Sequence, residues 1–180
     1  IREVVPALDI IAQHTLNLLH ASSVAIYIIQ EDNETFKILS AKGEYQKELL
    51  FHTRKKGEGI TGNVIASGKP EIIDNVAKDP RKVIIPGTPI EDINFETMMS
   101  APLILQGEAI GAINVWRSKS DGVFDISELN FLVNITHQTS ISIESIRLFE
   151  ETTRRAQEAA AIAEVARDIT ATLQLDILLE

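Results

Sequence analysis

The spacing of apolar positions predicts a helix towards each end of the chain. Near the start these positions recur every three or four residues, at Val4, Leu8, Ile11, Thr15 and Leu18. This spacing predicts an amphipathic helix over residues 3–20. Towards the other end, neither Gly nor Pro occurs after Gly122, and Asp125 stands three residues before Glu128. An acid at this spacing from a glutamate is typical of a helix start, so we predict one helix from there to about Gln174.

Between these helices the apolar pattern predicts two hairpins. Residues 24–29 are apolar without interruption, which indicates a strand that is covered on both faces, and residues 36–41 form its partner. Residues 98–105 and 109–116 form the second pair, and Pro102 indicates a sheet edge or a bulge. We also predict a short strand over 71–73. The stretch 77–97 is irregular, and long irregular stretches in compact domains are often functional.

A glycine-rich segment, KKGEGITGNVIASGKP at 55–70, contains the spacing G-x-G-x-x-G. In dinucleotide-binding proteins this spacing follows an apolar strand and opens a long crossover helix. Here the preceding residues are polar, and Gly68 with Pro70 allows only about two helical turns. We therefore predict a structural role. Gly57 and Gly59 form a tight turn, a short helix directs Ile60, Val64 and Ile65 into the core, and Gly68 ends that helix in the left-handed conformation.

Composition excludes several classes of function. The net charge is −9 over 180 residues, and an acidic surface repels phosphate backbones, so we expect no nucleic-acid binding. The chain contains no cysteine, which excludes disulfides, thiolate metal sites and a cysteine nucleophile and suits a reducing, cytoplasmic location. The longest apolar run, 24–29, is too short to cross a membrane, so we expect no membrane insertion by this segment. The first residue is Ile1 and the last is Glu180 in a helical pattern, which suggests a fragment of a longer protein.

Three stretches together resemble GAF domains, the small-molecule sensory modules of signalling proteins. They are GEGITGNVIASGKPEIIDNVAKDPR, SAPLILQGEAIGAINVW and FDISELNFLVNITHQTSISIESIRLFEE. The resemblance covers roughly residues 1–150. It implies an α+β fold with an antiparallel sheet of about six strands, helices packed on one face, a ligand region on the other face, and a long C-terminal helix.

The resemblance also implies a pocket between the sheet and residues 60–97. Apolar walls with a few polar groups are what a small ligand needs. Arg81 could hold an anion in a forked geometry. Plain core packing is the alternative for each candidate, and a packed interior instead of a void of several hundred Å³ would favour it. The candidate ligand-binding residues are Ile73, Asn75, Val76, Arg81, Ile85, Phe95, Met98, Ser100, Asn114 and Trp116.

Several activities of related domains do not suit these residues. GAF domains that bind cyclic nucleotides carry Lys after the Asn and a later acid pair, whereas here Val115 follows Asn114 and Leu129 breaks the pair. Bilin attachment and methionine sulfoxide reduction use cysteine. His137 lies on the last predicted helix without the acid and the Thr-Pro of a phosphoacceptor motif. We therefore expect neither catalytic residues, nor a metal site, nor a cofactor.

The last helix carries a heptad pattern beyond the resemblance. Small and apolar residues alternate at intervals of three and four along one seam. A second stripe, at Ile162, Val165 and Ile169, competes with this seam, and a ligand could rotate the helix between the two registers. We predict a parallel coiled coil of two chains, although a single solvated helix is the alternative. The seam consists of Phe149, Thr152, Ala156, Ala159, Ala163, Ala166, Thr170 and Leu173.

These patterns predict three segments and one main function. Residues 1–150 form the sensory domain, 151–174 a signalling helix, and 175–180 the start of a following domain. The sequence predicts a dimeric, non-catalytic, cytoplasmic sensor that binds a small molecule and signals to an output domain, of histidine kinase or cyclase type, in the same chain. The dimer would form through the N- and C-terminal helices. The alternative is an unliganded dimerisation and spacer module in a tandem sensor array.

Overall fold

The structure is a computed structural model that describes residues 4–49, 53–84 and 96–178, with side chains in the last helix up to Glu164 and at Arg167. The predicted candidates Ile85 and Phe95 lie outside the described residues. In chain order the elements are α1 (Val4–Leu18), β1 (Ser23–Ile29), β2 (Thr35–Gly43), α2 (Gln46–Leu49), β3 (Thr53–Lys55), α3 (Gly59–Ser67), β4 (Glu71–Ile73), β5 (Glu96–Leu105), β6 (Glu108–Ser118) and α4 (Ile126–Leu178).

Six strands form one sheet in the order β3-β2-β1-β6-β5-β4, and every neighbouring pair is antiparallel. The predicted α+β fold with an antiparallel sheet of about six strands is therefore confirmed. The two predicted hairpins are β1–β2 and β5–β6, and β1 also pairs with β6, which closes the centre of the sheet. The short elements α2 and β3 were not predicted from the pattern.

Successive side chains of each central strand point to opposite faces of the sheet, and both faces are covered. In β1 the residues from Ser23 to Ile28 are all buried, as the unbroken apolar run predicted. On one face α3 packs against the sheet, with Val64 and Ile65 in a cluster that includes Tyr27 and Phe36. Burying an aliphatic or aromatic side chain of this size contributes about 1.5–3 kcal/mol.

A bulge in β2 changes the face on which its side chains lie. Ile26 pairs with Ser40 but Tyr27 pairs with Ile38, so Leu39 is an extra residue on this strand. Ile38 therefore joins the cluster under α3. The Ser40 hydroxyl instead donates to Asp9 Oδ1 of α1 at 2.5 Å, on the opposite face. Without the bulge, Ile38 and Ser40 would lie on the same face.

Pro102, for which the sequence predicted a sheet edge or a bulge, lies on a locally unpaired side of β5 and close to a register shift. Although β5 is an inner strand, the described β4 pairs only with Met98–Ser100. Beyond that point the far side of β5 has no paired strand among the described residues, so the missing N–H of Pro102 breaks no ladder on that side. A register shift follows directly, between Leu103 and Ile104.

The glycine-rich segment satisfies its own backbone groups. The N–H of Gly57 donates to the carbonyl of Gly62 at 2.9 Å, and the Asn63 amide donates to the carbonyls of Gly57 at 3.1 Å and Gly59 at 2.7 Å. Gly68 ends α3 with φ of 66° and ψ of 17°, the left-handed cap that was predicted. The N–H of Gly57 is thus bonded within the segment and does not point outwards to a ligand. This arrangement indicates a structural role rather than a phosphate-binding loop.

The start of α4 is a capping box. The N–H of Glu128 donates to Asp125 Oδ1 at 2.8 Å, and the N–H of Asp125 donates to Glu128 Oε2 at 3.0 Å. These paired bonds satisfy donors that a helix start leaves unpaired. Within residues 4–49, 53–84 and 96–178, no helix combines the length and the apolar character that crossing a membrane requires.

The described residues divide into two units, one ending at Ile143 and one beginning at Glu144. In the second unit, all side chains from Glu151 to Glu164 are exposed in the single chain. Arg154 pairs with Glu158 at 2.9 Å along the helix surface. The segment boundaries predicted at 150 and 174, and the coiled coil itself, stay predictions.

Gly62 offers a test of the structural role of the glycine segment. Alanine normally stabilises a helix relative to glycine by about 1 kcal/mol. At this position, however, a Cβ would lie 2.8 Å from the backbone carbonyl oxygen of Lys55. We expect Gly62→Ala to lower the free energy of unfolding by about 1–2 kcal/mol, measured by urea denaturation, because the steric conflict outweighs the helical gain.

The control is Ala66→Gly at an exposed position of the same helix. It should cost about 1 kcal/mol from helix propensity alone. An increase in stability for Gly62→Ala would show that the glycine is not required by close packing.

Candidate functional site

A pocket lies on the face of the sheet that α3 covers. Its cavity volume is about 80 Å³. The enclosed space is smaller than the several hundred Å³ expected from the sequence. The lining residues come from β1, β2, α2, β3, α3, β5 and β6 and from the connections between them: Ser23, Tyr27, Phe36, Ile38, Tyr45, Leu49, Arg54, Glu58, Gly59, Ile60, Thr61, Val76, Val83, Glu96, Met98 and Trp116.

Aromatic side chains form much of the pocket wall. Tyr27, Phe36, Tyr45 and Trp116 all line it, and they include both tyrosines and the single tryptophan of the chain. The rings of Tyr27 and Phe36 meet edge to face, with centroids 5.7 Å apart and planes at 73°. This arrangement places the ring edge of one against the ring face of the other, a favourable packing of aromatic quadrupoles.

A buried polar network closes the pocket on the sheet side. Ser100 Oγ donates to Asn114 Oδ1 at 2.7 Å, and Asn114 Nδ2 donates to Thr61 Oγ1 at 2.6 Å. Burial raises the pKa of Tyr27 to about 12, against a smaller opposing effect of hydrogen bonds from Asn114 and Thr61. The network therefore connects β1, β5 and β6 to α3, and its buried polar groups are satisfied by one another.

Glu96 brings an ionisable carboxyl group into this largely apolar pocket. Burial, and next the nearby charge of Glu44, raise the pKa of Glu96 to about 7. No salt bridge to Glu96 is found within the described ranges. Burial and the charges of Glu96 and Glu44 also raise the pKa of the neighbouring Tyr45. As the pH rises above 7 the pocket thus gains a carboxylate that has no counter-charge among the described residues.

The base that lines the pocket, Arg54, is already paired. Its Nη1 lies 3.1 Å from Glu58 Oε1, and Glu58 also accepts from the N–H of Lys55 at 3.2 Å. The hydrogen bond from Lys55 is the largest of the effects that lower the pKa of Glu58. The Arg54–Glu58 pair is neutral overall, so the net charge of the lining residues is that of Glu96.

The structure places three of the ten predicted site residues at the pocket wall, namely Val76, Met98 and Trp116. Ile73 is buried directly behind them, in a cluster with Ile60, Val76 and Met98. Ser100 and Asn114 contribute through the polar network rather than by lining the pocket. Each of these residues is buried or packs against the core. The ligand-binding role that the sequence suggested for them stays a prediction.

Arg81 and Asn75 have partners within the protein. Arg81 donates to Asp79 from Nε at 3.0 Å and from Nη2 at 2.8 Å, and to Glu71 from Nη1 at 2.9 Å and from Nη2 at 3.0 Å. These hydrogen bonds, Asp79 first, raise the pKa of the Arg81 guanidinium. Asn75 Oδ1 accepts from the N–H of Lys78 at 3.3 Å and caps a short 3₁₀ helix. Neither of these side chains lines the pocket in the described structure.

The sequence prediction missed most of the pocket wall. Tyr27 was hidden because its strand is apolar on both faces, so periodicity gives no sign of the face on which each residue lies. Glu96 stood at the end of the irregular stretch, where it was not distinguished from solvated acids. A usable signal was the strand register, since Glu96, Met98 and Ser100 share one face of β5.

On the opposite face of the sheet, a single arginine connects the end of β6 to α1 and α4. Arg117 Nη2 lies 2.6 Å from Glu128 Oε1 in the capping box and also donates to the carbonyl of Leu19. Its guanidinium carbon stacks 4.1 Å from the centre of the Phe124 ring. Arg117 follows Trp116 directly, so neighbouring residues of one strand face the pocket and the start of α4.

A second concave surface lies between α1 and the first part of α4. Its volume is about 450 Å³, and Ile10, Leu18 and Phe131 line it. These side chains are 61%, 60% and 42% exposed, which is unusual for large apolar residues. The groove therefore leaves a connected apolar surface in contact with solvent.

The described part of the chain offers no cluster of three or more His, Asp or Glu side chains that could hold a metal ion. The charged residues at the pocket are Arg54, Glu58 and Glu96, and the first two are paired with each other.

Comparison with known families identifies the fold. The family model described as the GAF domain matches residues 6–144. The chain belongs to the GAF domain family, and the predicted resemblance is confirmed. GAF domains are sensory and regulatory modules of signalling proteins, which sets the class of function for this chain.

A curated relative has a regulatory name. The Nif-specific regulatory protein of Azospirillum brasilense is 25% identical over 159 residues, which are 82% of this chain and 25% of that protein. The Azospirillum lipoferum protein of the same name is 26% identical over 158 residues, with the same coverage. This chain therefore spans about a quarter of the length of the curated relatives that it matches.

Among solved structures, the GAF domain of a phosphoenolpyruvate-protein phosphotransferase from Coxiella burnetii superposes with a TM-score of 0.71 at 20% identity, covering 82% of this chain and 86% of that one. A type II free methionine-R-sulfoxide reductase from Thermoplasma acidophilum superposes with a TM-score of 0.63 at 15% identity, covering 77% and 91%. At these identities the likeness shows the shared fold, which regulatory and catalytic proteins both use.

The raised pKa of Glu96 predicts a pH dependence of stability. In the unfolded chain this carboxyl ionises near its ordinary value, about 4.3. In the folded protein it ionises only near 7. Stability from this group is thus fully present below pH 4 and is lost as the pH rises towards 7. We expect a decrease of about 1–2 kcal/mol over that range, less than the full linkage value because the carboxyl is partly exposed.

Urea denaturation of the wild type and Glu96→Gln at pH 5 and pH 7.5 measures this effect. The difference between the two proteins should shift in favour of Glu96→Gln at the higher pH, because glutamine has no charge to desolvate. Glu108→Gln, at the exposed first residue of β6, serves as the control. A pH-independent difference would contradict the assignment of Glu96 as a destabilised carboxylate.

Proposed function

We propose that this chain is the sensory domain of a multidomain regulator, which binds a small molecule in the pocket under α3 and signals through α4 to an output domain of the same chain. Within this proposal the domain is regulatory rather than catalytic and functions in the cytoplasm. The absence of cysteine supports both points, since it removes the family's reductase chemistry and suits a reducing compartment.

One observation carries the proposal: the carboxyl group of Glu96 lies in an aromatic pocket and has no counter-charge in the part of the chain that the structure describes. Desolvating a carboxylate costs free energy, and a domain that serves only as a spacer gains nothing from that cost. A ligand that completes the site would offset it. Destabilised ionisable groups in clefts are characteristic of functional sites.

Arg117 supports the signalling step. Trp116 lines the pocket, while the next residue holds the Leu19 carbonyl and Glu128 at the start of α4. A ligand that shifts β6 would change the geometry of a buried ion pair, which tolerates displacement poorly. Because α4 is one helix from Ile126 to Leu178, a change in geometry at its start acts directly on the proposed signalling helix.

The apolar groove between α1 and α4 supports a homodimer. Ile10, Leu18 and Phe131 would lose solvent contact if the same groove of a second copy covered them, as a twofold interface requires. This is the pair of helices that the sequence predicted for dimerisation. The coiled coil beyond Phe149 would continue the same interface.

The kind of output domain is proposed from the sequence alone. The curated relatives are named only as regulatory proteins, and the chain covers a quarter of each. A histidine kinase or cyclase output, as the sequence suggested, therefore stays a prediction. An unliganded dimerisation and spacer module is the second candidate, and the apolar groove and the small enclosed volume of the pocket favour it.

Native mass spectrometry tests whether the pocket holds a ligand. We expect the purified wild-type chain to retain a small molecule, visible as added mass that collisional activation removes. Val76→Phe should lose this mass because the larger ring occupies the pocket. The control Ile84→Phe, on an exposed side chain, should keep it. Absence of added mass, also after incubation with cell metabolites, would favour the spacer module.

Sedimentation velocity tests the dimer. Ile10→Glu places a charge in the groove, and we expect it to weaken dimerisation at least about tenfold, since burying an unpaired carboxylate is costly. Ile84→Glu is the matched control, because Ile84 is 65% exposed and Ile10 is 61% exposed. A monomeric wild type, or equal effects of both variants, would exclude the α1–α4 groove as the interface.

A further inference from the structure

We propose that the pocket selects a small organic cation, such as an alkylammonium or a quaternary ammonium group, whose charge lies against Glu96 and the surrounding aromatic rings. This inference rests on the proposed sensory function and names the chemical class of its ligand. Nothing in the comparisons assigns a ligand charge to this chain. The assignment comes from the balance of charge and the kind of wall that the pocket presents.

The charge balance excludes an anion. Among the described residues, one base and two acids line the pocket, and the base Arg54 is paired with Glu58 at 3.1 Å. The charge of Glu96 is left, and Glu44 adds negative potential from the turn after β2. A ligand carboxylate or phosphate would thus meet repulsion, whereas a cation would supply the missing counter-charge.

The wall suits a cation as well. Tyr27, Phe36, Tyr45 and Trp116 line the same space as Glu96. Aromatic faces attract cations through their quadrupole, and tryptophan and tyrosine do so most strongly. Cages of such rings are a recurrent solution for ammonium groups whose hydration is removed. A pocket lined by a carboxylate and aromatic rings therefore attracts a cation through both the negative charge and the ring quadrupoles.

Arg81, the one base that the sequence suggested for an anion, does not alter this balance. Its guanidinium donates to both carboxylate oxygens of Asp79 and of Glu71. It also lies outside the lining of the pocket. The pocket volume of about 80 Å³ limits the ligand, or its inserted head group, to a few non-hydrogen atoms.

Trp116 provides the readout, because it is the single tryptophan of the chain and lines the pocket. The experiment titrates the full chain with choline, its neutral isostere 3,3-dimethylbutan-1-ol, propylammonium and propionate, and follows tryptophan fluorescence. We expect choline or propylammonium to bind at least about tenfold more tightly than the alcohol, and propionate to bind most weakly.

Glu96→Gln should abolish the preference for the cation over its neutral isostere, and Glu96→Asp should retain most of it. Glu108→Gln, at the exposed first residue of β6, should behave as the wild type. Circular dichroism establishes that each variant is folded. Should Glu96→Gln fail to fold, the preference of the wild type over its neutral isostere, and its retention in Glu96→Asp, still decide the question.

The affinity for choline, which has a fixed charge, should rise by up to about tenfold between pH 6 and pH 8 as Glu96 ionises. The surrounding titratable and charged groups are Tyr27 of β1, Glu44 and Tyr45 before α2, Glu48 in α2, Arg54 of β3 and Glu58 before α3. If the rise comes from Glu96, it should disappear in Glu96→Gln.

Three outcomes are distinguishable. Tighter binding of the cations supports the inference. Tighter binding of propionate or the alcohol, or retention of an anionic molecule in native mass spectrometry, overturns the inference and leaves the sensory function intact. No response to any of the four probes, together with no retained molecule, overturns both.

Discussion

The structure depends on the requirement that polar groups on a buried central strand must find partners. Strand β6 lies between β1 and β5, with both faces covered, yet it carries Asn114 and Arg117. An unpaired polar group at such a position would cost about 1–3 kcal/mol, and a buried charge more. Asn114 is satisfied by Ser100 and Thr61, which ties the sheet to α3. Arg117 donates from Nη2 to the Leu19 carbonyl and pairs with Glu128, which ties the sheet to the end of α1 and to α4, while its buried Nε has no hydrogen-bond partner among the described residues.

Glu96 is an exception to this requirement among the described acids close to the core. Asp79, Glu128 and Glu58 each accept a hydrogen bond from an arginine side chain. The Glu96 carboxyl has none of these arrangements, and burial moves its pKa to about 7 instead. Natural domains keep such a cost where function offsets it. This contrast is the physical reason for proposing that the pocket binds a ligand and is not purely structural.

The parts of the fold with strong local patterns were predictable from the sequence. The central strands, the left-handed cap at Gly68 and the capping box at Asp125 each follow from nearby residues, and the family resemblance supplied the sheet. Elements α2 and β3 were not predicted, because residues 46–49 and 53–55 are mostly polar and give no apolar pattern. The pocket wall was only partly predictable, since the importance of Glu96 comes from which charges are absent around it in space. That balance depends on Arg54 being held by Glu58, which a linear sequence does not reveal.

The extra residue at Leu39 has a consequence for how the domain diverges. Before it, β2 supplies Phe36 and Ile38 to the pocket, and after it the strand supplies Ser40 to α1. The two halves of one strand thus serve separate neighbourhoods, and a change in one leaves the other undisturbed. In homologues that lack the additional amino acid, the same letters aligned without a gap would describe opposite sides of the molecule. The contribution of β2 to the pocket therefore descends with the first half of this strand.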